Sequence, residues 1–281
     1  MTDKNSNEIK IIALDLDGTL LDSRKMLSDK NKRALFRAAD LGIHVVPTTG
    51  RFYSAIPDFI RELPFIRYVV GINGAEVARV DTGEVIYSAE IPVEQAVSIM
   101  DMLDGVDCIY DCYRGGKAWM TRSLWDVTER YAPDKYYTQM IRDLRRPVDD
   151  LKRFLLQSPD VNVQKISAYL KNVECRNDLL RKIEDLFPDT AASYAVVNNI
   201  EINHSDANKG SALNALAEYL GYGSENVMAV GDGLNDLSMI KRAGVGVAMA
   251  NSIPQVLEAA DFITSDNDSD GVAAAIDHFI M

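Results

Sequence analysis

The sequence predicts an α/β fold in which a parallel-sheet core is interrupted by an inserted α+β module. Short Val/Ile/Leu-type runs end in polar loops at Ile11-Ile12-Ala13-Leu14, Ile43-His44-Val45-Val46 and Tyr68-Val69-Val70. Such runs suit strands of a parallel sheet covered on both faces. This βα pattern stops at Asn73-Gly74 and resumes after Asn203. The core is therefore expected from residues 1–82 and 200–281, with residues 83–199 as a domain-sized insertion.

In chain order, Met1 to Glu8 is polar without an apolar centre, so a frayed lead-in and no secretion signal are expected. Ser28 reads as the N-cap of a helix through Leu41, with Ala34, Leu35, Ala38 and Leu41 on one face and Gly42 as its stop. Glu76 to Val80 and Glu84 to Tyr87 alternate around Asp81-Thr82-Gly83, a hairpin signal that opens the different module. Within it, helices are expected near Val93 to Leu103, Leu124 to Tyr131 and Val173 to Leu186. Strands are expected at Cys108 to Cys112, Ala118 to Thr121, Val163 to Tyr169 and Tyr194 to Val197. The core returns with a helix near Ser211 to Leu220, the strand Val227 to Val230 and a helix to Ala243. The strand Val245 to Met249, a helix from Pro254 to Ala260, Phe262-Ile263 and a last helix to Phe279 complete it.

Composition excludes several classes. With 281 residues, 47% hydrophobic and 26% charged, the chain suits a soluble globular protein with one large or two modest cores. No segment approaches the roughly 18 uninterrupted apolar residues of a membrane helix, so no membrane partner is expected. A net charge of −12 repels phosphate backbones, so no nucleic-acid partner is expected either. Cys108, Cys112 and Cys175 are odd in number and form no Cys-x-x-Cys pair, which points to buried inert thiols in a reducing cytoplasm. His44, His204 and His278 show no ligand spacing, and the absence of a Gly-x-Ser-x-Gly elbow argues against a serine-hydrolase triad.

The polar loops carry the chemistry. Asp15-Leu16-Asp17-Gly18-Thr19-Leu20-Leu21 follows the first strand directly. Ligands bind at the carboxyl ends of such strands, although this heptad alone fits an Asp-Gly turn as well as a catalytic pair. The second strand ends in Pro47-Thr48-Thr49-Gly50-Arg51, the third in Gly71-Ile72-Asn73-Gly74-Ala75, and Val227 to Val230 in Gly231-Asp232-Gly233-Leu234-Asn235-Asp236. Asp236 stands where a dinucleotide loop needs its third glycine, so that loop is not a dinucleotide fingerprint. Taken singly, Lys209 reads as a surface lysine and Thr49 as a turn hydroxyl.

Together, these motifs resemble the haloacid dehalogenase-like (HAD) hydrolase superfamily, with its DxDGT strand end, Thr/Ser strand end, Lys and acidic GDxxxD-type loop. Asn73-Gly74-Ala75, Lys209-Gly210, Gly231-Asp232-Gly233-x-Asn235-Asp236, Gly246 to Asn251 and Asp270-Gly271-Val272 extend the resemblance to its Cof-type sugar-phosphatase subfamily. The resemblance implies a Rossmann-like HAD core and, from the insertion point, a C2B-type cap. A cap of that kind would exclude water and select a small leaving group.

It also implies roles. Asp15 would be the nucleophile that forms an aspartyl-phosphate, and Asp17 the acid and base. Leu16, Thr49, Gly50, Lys209 and Asn235 would hold the phosphoryl group, with Lys209 also counted as catalytic. Asp15, Asp17 and Asp232 would bind the metal, with Asp236 behind them. Converging carboxylates repel by about 1 to 4 kcal/mol per pair at about 4 Å, so the cluster needs a cation. Oxygen-only ligands favour Mg2+, with a calcium-only structural site as the alternative.

The expected activity is Mg2+-dependent hydrolysis of a small phosphorylated metabolite such as a sugar phosphate. Dehalogenating relatives lack an acid at the position of Asp17, which argues against that reaction. A phosphomutase and a silent phosphometabolite-binding protein are the alternatives. In the cap, Arg114 and Lys117 flank a Gly115-Gly116 turn that either reaches the leaving group or is simply solvated. No residue pattern names the leaving group, and none names an oligomeric state. Asp266-x-Asp268-x-Asp270-Gly271 mimics a calcium loop, but the preceding Phe262-Ile263-Thr264 reads as strand, so an acid-capped helix start is expected there.

Overall fold

The computed structural model describes residues 8–194 and 196–281, so the expected lead-in over Met1 to Asn7 lies outside the described residues. Its strands are β1 (Ile11–Leu14), β2 (His44–Pro47), β3 (Tyr68–Gly71), β4 (Glu76–Arg79), β5 (Val85–Ser88), β6 (Cys108–Arg114) and β7 (Lys117–Thr121). There follow β8 (Arg145–Val148), β9 (Lys165–Leu170), β10 (Thr190–Ser193), β11 (Asn199–His204), β12 (Val227–Gly231), β13 (Val245–Ala248) and β14 (Phe262–Ile263). The chain forms two compact units. One takes the described residues up to Arg51, Ile56–Ser88 and Ala207–Met281; the other takes Phe52–Ala55 and Ala89–Asp206.

The first unit is built on a parallel sheet in the order β14-β13-β12-β1-β2. Every residue of β1 is buried, as the unbroken apolar run requires of a strand covered on both faces. Val46, Val70 and Ala229 pack with Ala212, Leu213 and Leu216 of the helix Lys209–Tyr219 in one core cluster. The helix Asp29–Asp40 begins as expected, with the Ser28 side chain accepting from the Asn31 amide and Ala34, Leu35 and Ala38 buried. Leu41 departs from the expected apolar face: as the C-cap it is exposed, because the helix has already turned away at Gly42, φ +80°. The chain leaves β1 toward β2 on one side and returns to β12 on the other, and this switch point is where open α/β sheets form ligand crevices.

Strand pairing moves the unit boundaries from those expected at 82/83 and 199/200. The β4–β5 hairpin pairs with β3 and stays in the first unit, while β11 pairs with β9 and β10 and belongs to the second.

The second unit has a sheet in the order β10-β11-β9-β6-β7-β8, antiparallel except for β7 against β8. One face of it packs Tyr110, Cys112, Ile166, Ala168 and Ile202 against Ile99, Met100 and Leu103 of the helix Val93–Leu103. The expected strand over Tyr194 to Val197 is not one among its described residues. Tyr194 and Val197 are exposed between β10 and β11, and Ala195 lies outside the described residues. Among the described residues, no helix is long and apolar enough to cross a membrane.

Candidate active site

The loops after β1, β2, β3 and β12 and the start of the helix Lys209–Tyr219 gather at the carboxyl end of the parallel sheet. Asp15 directly follows β1, with its amide on the Val230 carbonyl of β12 at 3.0 Å. Lys209 is the first residue of its helix, after the N-cap Asn208, and is fully buried. Its Nζ donates to Asp15 Oδ1 at 2.5 Å and to Asp236 Oδ1 at 2.6 Å. The surface reading of Lys209 is therefore corrected: two buried carboxylates offset its desolvation. Asp236 Oδ2 accepts from the Asp232 and Gly233 amides at 2.9 and 2.8 Å, closing the acidic loop on itself.

Ligand oxygens of Asp15, Asp232 and Asp236 lie within 4.8 Å of one another. Burial pushes the Asp15 carboxyl up to about 8, with the Asp236 and Asp232 charges adding to the rise and Lys209 opposing it. Burial likewise raises Asp232 to about 6, against the hydrogen bond from Thr19 Oγ1 at 2.7 Å. These acids crowd negative charge that one lysine does not offset, and the donor set is all oxygen. Such a group fits a hard divalent cation such as Mg2+.

The expected metal set of Asp15, Asp17 and Asp232 differs from this trio by the Asp17 carboxylate, whose charge still acts on Asp232. The Asp17 carboxylate is gripped by Arg51, Nε to Oδ2 and Nη2 to Oδ1, both at 2.8 Å, and by Lys25 Nζ at 2.9 Å from Oδ1. Partial burial would raise its pKa, but these cations bring it down to about 2. Neither Arg51 nor Lys25 is among the residues that the sequence motifs mark for the site. The Thr49-Gly50-Arg51 run held the signal for Arg51, whereas nothing local marks Lys25.

The β2 loop joins the acidic loop through Asn73. Its amide donates to the Thr49 carbonyl at 3.0 Å, and its Oδ1 accepts from Asn235 Nδ2 at 3.3 Å. A Cβ on Gly50 would lie 2.8 Å from that same Oδ1. Gly18 is needed for the same kind of approach: its φ is +93°, and a Cβ there would meet Asp232 Oδ2 at 2.5 Å. Leu16 has its side chain fully buried, so only its backbone remains for a ligand.

The expected leaving-group residues Arg114 and Lys117 lie in the other unit. Arg114 is buried and donates from Nη1 to the Leu155 carbonyl at 3.3 Å and from Nη2 to that of Ser158. Its guanidinium thus holds the end of the helix Leu151–Leu156. Lys117 is exposed at the start of β7. The calcium-loop mimic is also resolved, because Asp268 accepts from Ser23 and Asp270 from Ser28. Asp270 makes no side-chain cap on its own helix, against the expected acid cap.

Fold and site together define an α/β protein with an acid–lysine centre at the switch point of a parallel sheet. A family model of haloacid dehalogenase-like hydrolases matches residues 12–276. YxeH of Bacillus subtilis is 32% identical over 279 residues, covering 97% of this chain and 98% of that protein. The 5-amino-6-(5-phospho-D-ribitylamino)uracil phosphatase YcsE of the same organism is 30% identical over 274 residues, covering 98% and 97%. The crystal structure of a haloacid dehalogenase-like hydrolase from Bacteroides thetaiotaomicron matches with a TM-score of 0.82 at 29% identity, covering 97% of this chain and all of that one. The chain belongs to the haloacid dehalogenase-like hydrolases.

Proposed function

We propose that the chain is a phosphatase that hydrolyses a sugar phosphate or similar small phosphomonoester through an aspartyl-phosphate on Asp15. The supporting observation is the Asp15 carboxylate, buried at a strand end with one oxygen on Lys209 and with Asp232 and the Thr49-Gly50 loop at the same sheet edge. The name of YcsE, which describes the removal of a phosphate from a ribityl compound, agrees with this substrate class.

Asp15 attacks phosphorus, the bond from phosphorus to the ester oxygen breaks, and Asp17 protonates the departing alcohol. Water then attacks the acyl phosphate and gives its proton to Asp17, which restores the Asp15 carboxylate and releases inorganic phosphate. Held by Arg51 and Lys25, Asp17 is in the ionised form that the second half needs. Its donation in the first half calls for a proton gained as the entering phosphate competes for Arg51. Thr49, the Gly50 amide, the Leu16 amide and Asn235 would bind phosphoryl oxygens, and Lys209 offsets charge on the transferring group. Mg2+, held by Asp15 and Asp232, would supply further positive charge to the phosphoryl oxygens.

A panel of sugar phosphates and a generic aryl phosphate, assayed for inorganic phosphate and for isomer formation with Mg2+ and with EDTA, tests the reading. Mg2+-dependent phosphate release without isomer is expected. No release from any ester would overturn the phosphatase, and isomer formation would replace it with a mutase.

A further inference from the structure

We infer that Lys25 is a positioning residue for the Asp17 carboxylate, delivered by the loop between Asp22 and Ser28. Lys25 Nζ and Arg51 Nη2 both meet Asp17 Oδ1, at 2.9 and 2.8 Å, while among the described residues Oδ2 receives Arg51 Nε. When the entering phosphate draws Arg51 away, Lys25 still occupies Oδ1 and leaves Oδ2 as the oxygen that exchanges a proton. Lys25 thereby selects which oxygen works and where it points.

The loop is built for that placement. Lys25 is a non-glycine residue at φ +62°, a left-handed conformation that L side chains adopt at a cost. Within the loop, the Lys25 amide donates to the Asp22 carbonyl at 2.8 Å, and Asp22 Oδ1 accepts from the Arg24 and Met26 amides at 2.9 and 2.8 Å. From outside, Ser23 donates through N and Oγ to Asp268 Oδ1 at 2.8 and 2.7 Å, Ser28 Oγ to Asp270 Oδ1 at 2.5 Å, and Asn267 Nδ2 to the Leu21 carbonyl at 2.9 Å.

The ion pair that this anchoring delivers is 47% exposed at Lys25 and 36% at Asp17, so it adds little to folding. Folding does not account for a strained, doubly anchored loop that ends in so weak a pair. Orientation of a reacting carboxylate does, because small misplacements of catalytic groups are costly to rate.

The inference rests on the proposed hydrolysis, in which Asp17 exchanges protons. On an aryl phosphate with Mg2+, Lys25→Met is expected to lower kcat about tenfold with KM within about twofold, and Lys25→Arg to recover most of the loss. Asp268→Ala, which loosens the loop but keeps the lysine, should lose part of the rate. Lys10→Met, which breaks another partly exposed pair at Glu8, should lose none, with all variants melting alike. Wild-type kcat in Lys25→Met, or a loss that arginine does not recover, overturns the inference. A wild-type enzyme that releases no phosphate overturns the phosphatase reading itself, and this role for Lys25 with it.

Discussion

At the scale of single residues, the centre is a charge arrangement whose parts depend on one another. Lys209 is fully buried between Asp15 and Asp236, so removing it leaves two desolvated carboxylates. Lys209→Met should cost about 3 kcal/mol by denaturant unfolding, because it strips two buried acids of their shared partner. An unchanged midpoint would contradict the bridging role. Asp15, Asp17, Lys209, Asp232 and Asp236 were legible because each stands in a motif at a strand or helix end. Lys25 was not, since its meeting with Asp17 follows from a loop anchored by Asp268 and Asp270, more than 200 residues away along the chain.

At the scale of elements, the apolar runs of β1, β3 and β12 and the Ser28 cap were legible because local patterning decides them. The helix Lys135–Leu144 and strand β8 escaped. Of that helix only Ile141 is fully buried, so few apolar residues mark it. β8 holds a buried Arg145, made tolerable by Asp111 at 2.9 Å, and no local pattern announces a charge match across the sheet. The β4–β5 hairpin is legible as a hairpin, but the expected boundary at 82/83 cuts it, because pairing partners lie outside the local pattern. Close approach of elements also sets limits. Gly74 has φ +96°, and a Cβ there would lie 2.4 Å from the Asn208 backbone, which caps the helix that starts at Lys209. Gly74→Ala should therefore cost roughly 1 to 3 kcal/mol in a denaturant titration, and should lower activity by shifting Lys209. A neutral substitution would show that this contact yields easily.

At the scale of the whole molecule, the acidic centre should couple stability to pH and to metal. Asp15 and Asp232 are raised in the folded chain from an ordinary carboxyl value to about 8 and about 6. Raised carboxyls contribute stability that is full below the unfolded value and is lost as pH rises through the folded ones. Asp17, lowered to about 2, contributes in the opposite sense but only in strong acid. In EDTA, the melting temperature should therefore fall between about pH 5 and pH 8.5, and Mg2+ should raise it more at the alkaline end, where the acids bind as carboxylates. A metal-free melting temperature that stays flat across that range, with no Mg2+ effect, would contradict the cation site.

Asp15 as the nucleophile is tested by comparing wild type with Asp15→Asn on an aryl phosphate in Mg2+. The variant is expected to fold and melt cooperatively but to release no inorganic phosphate, whereas retained phosphate release by Asp15→Asn would contradict a nucleophilic Asp15.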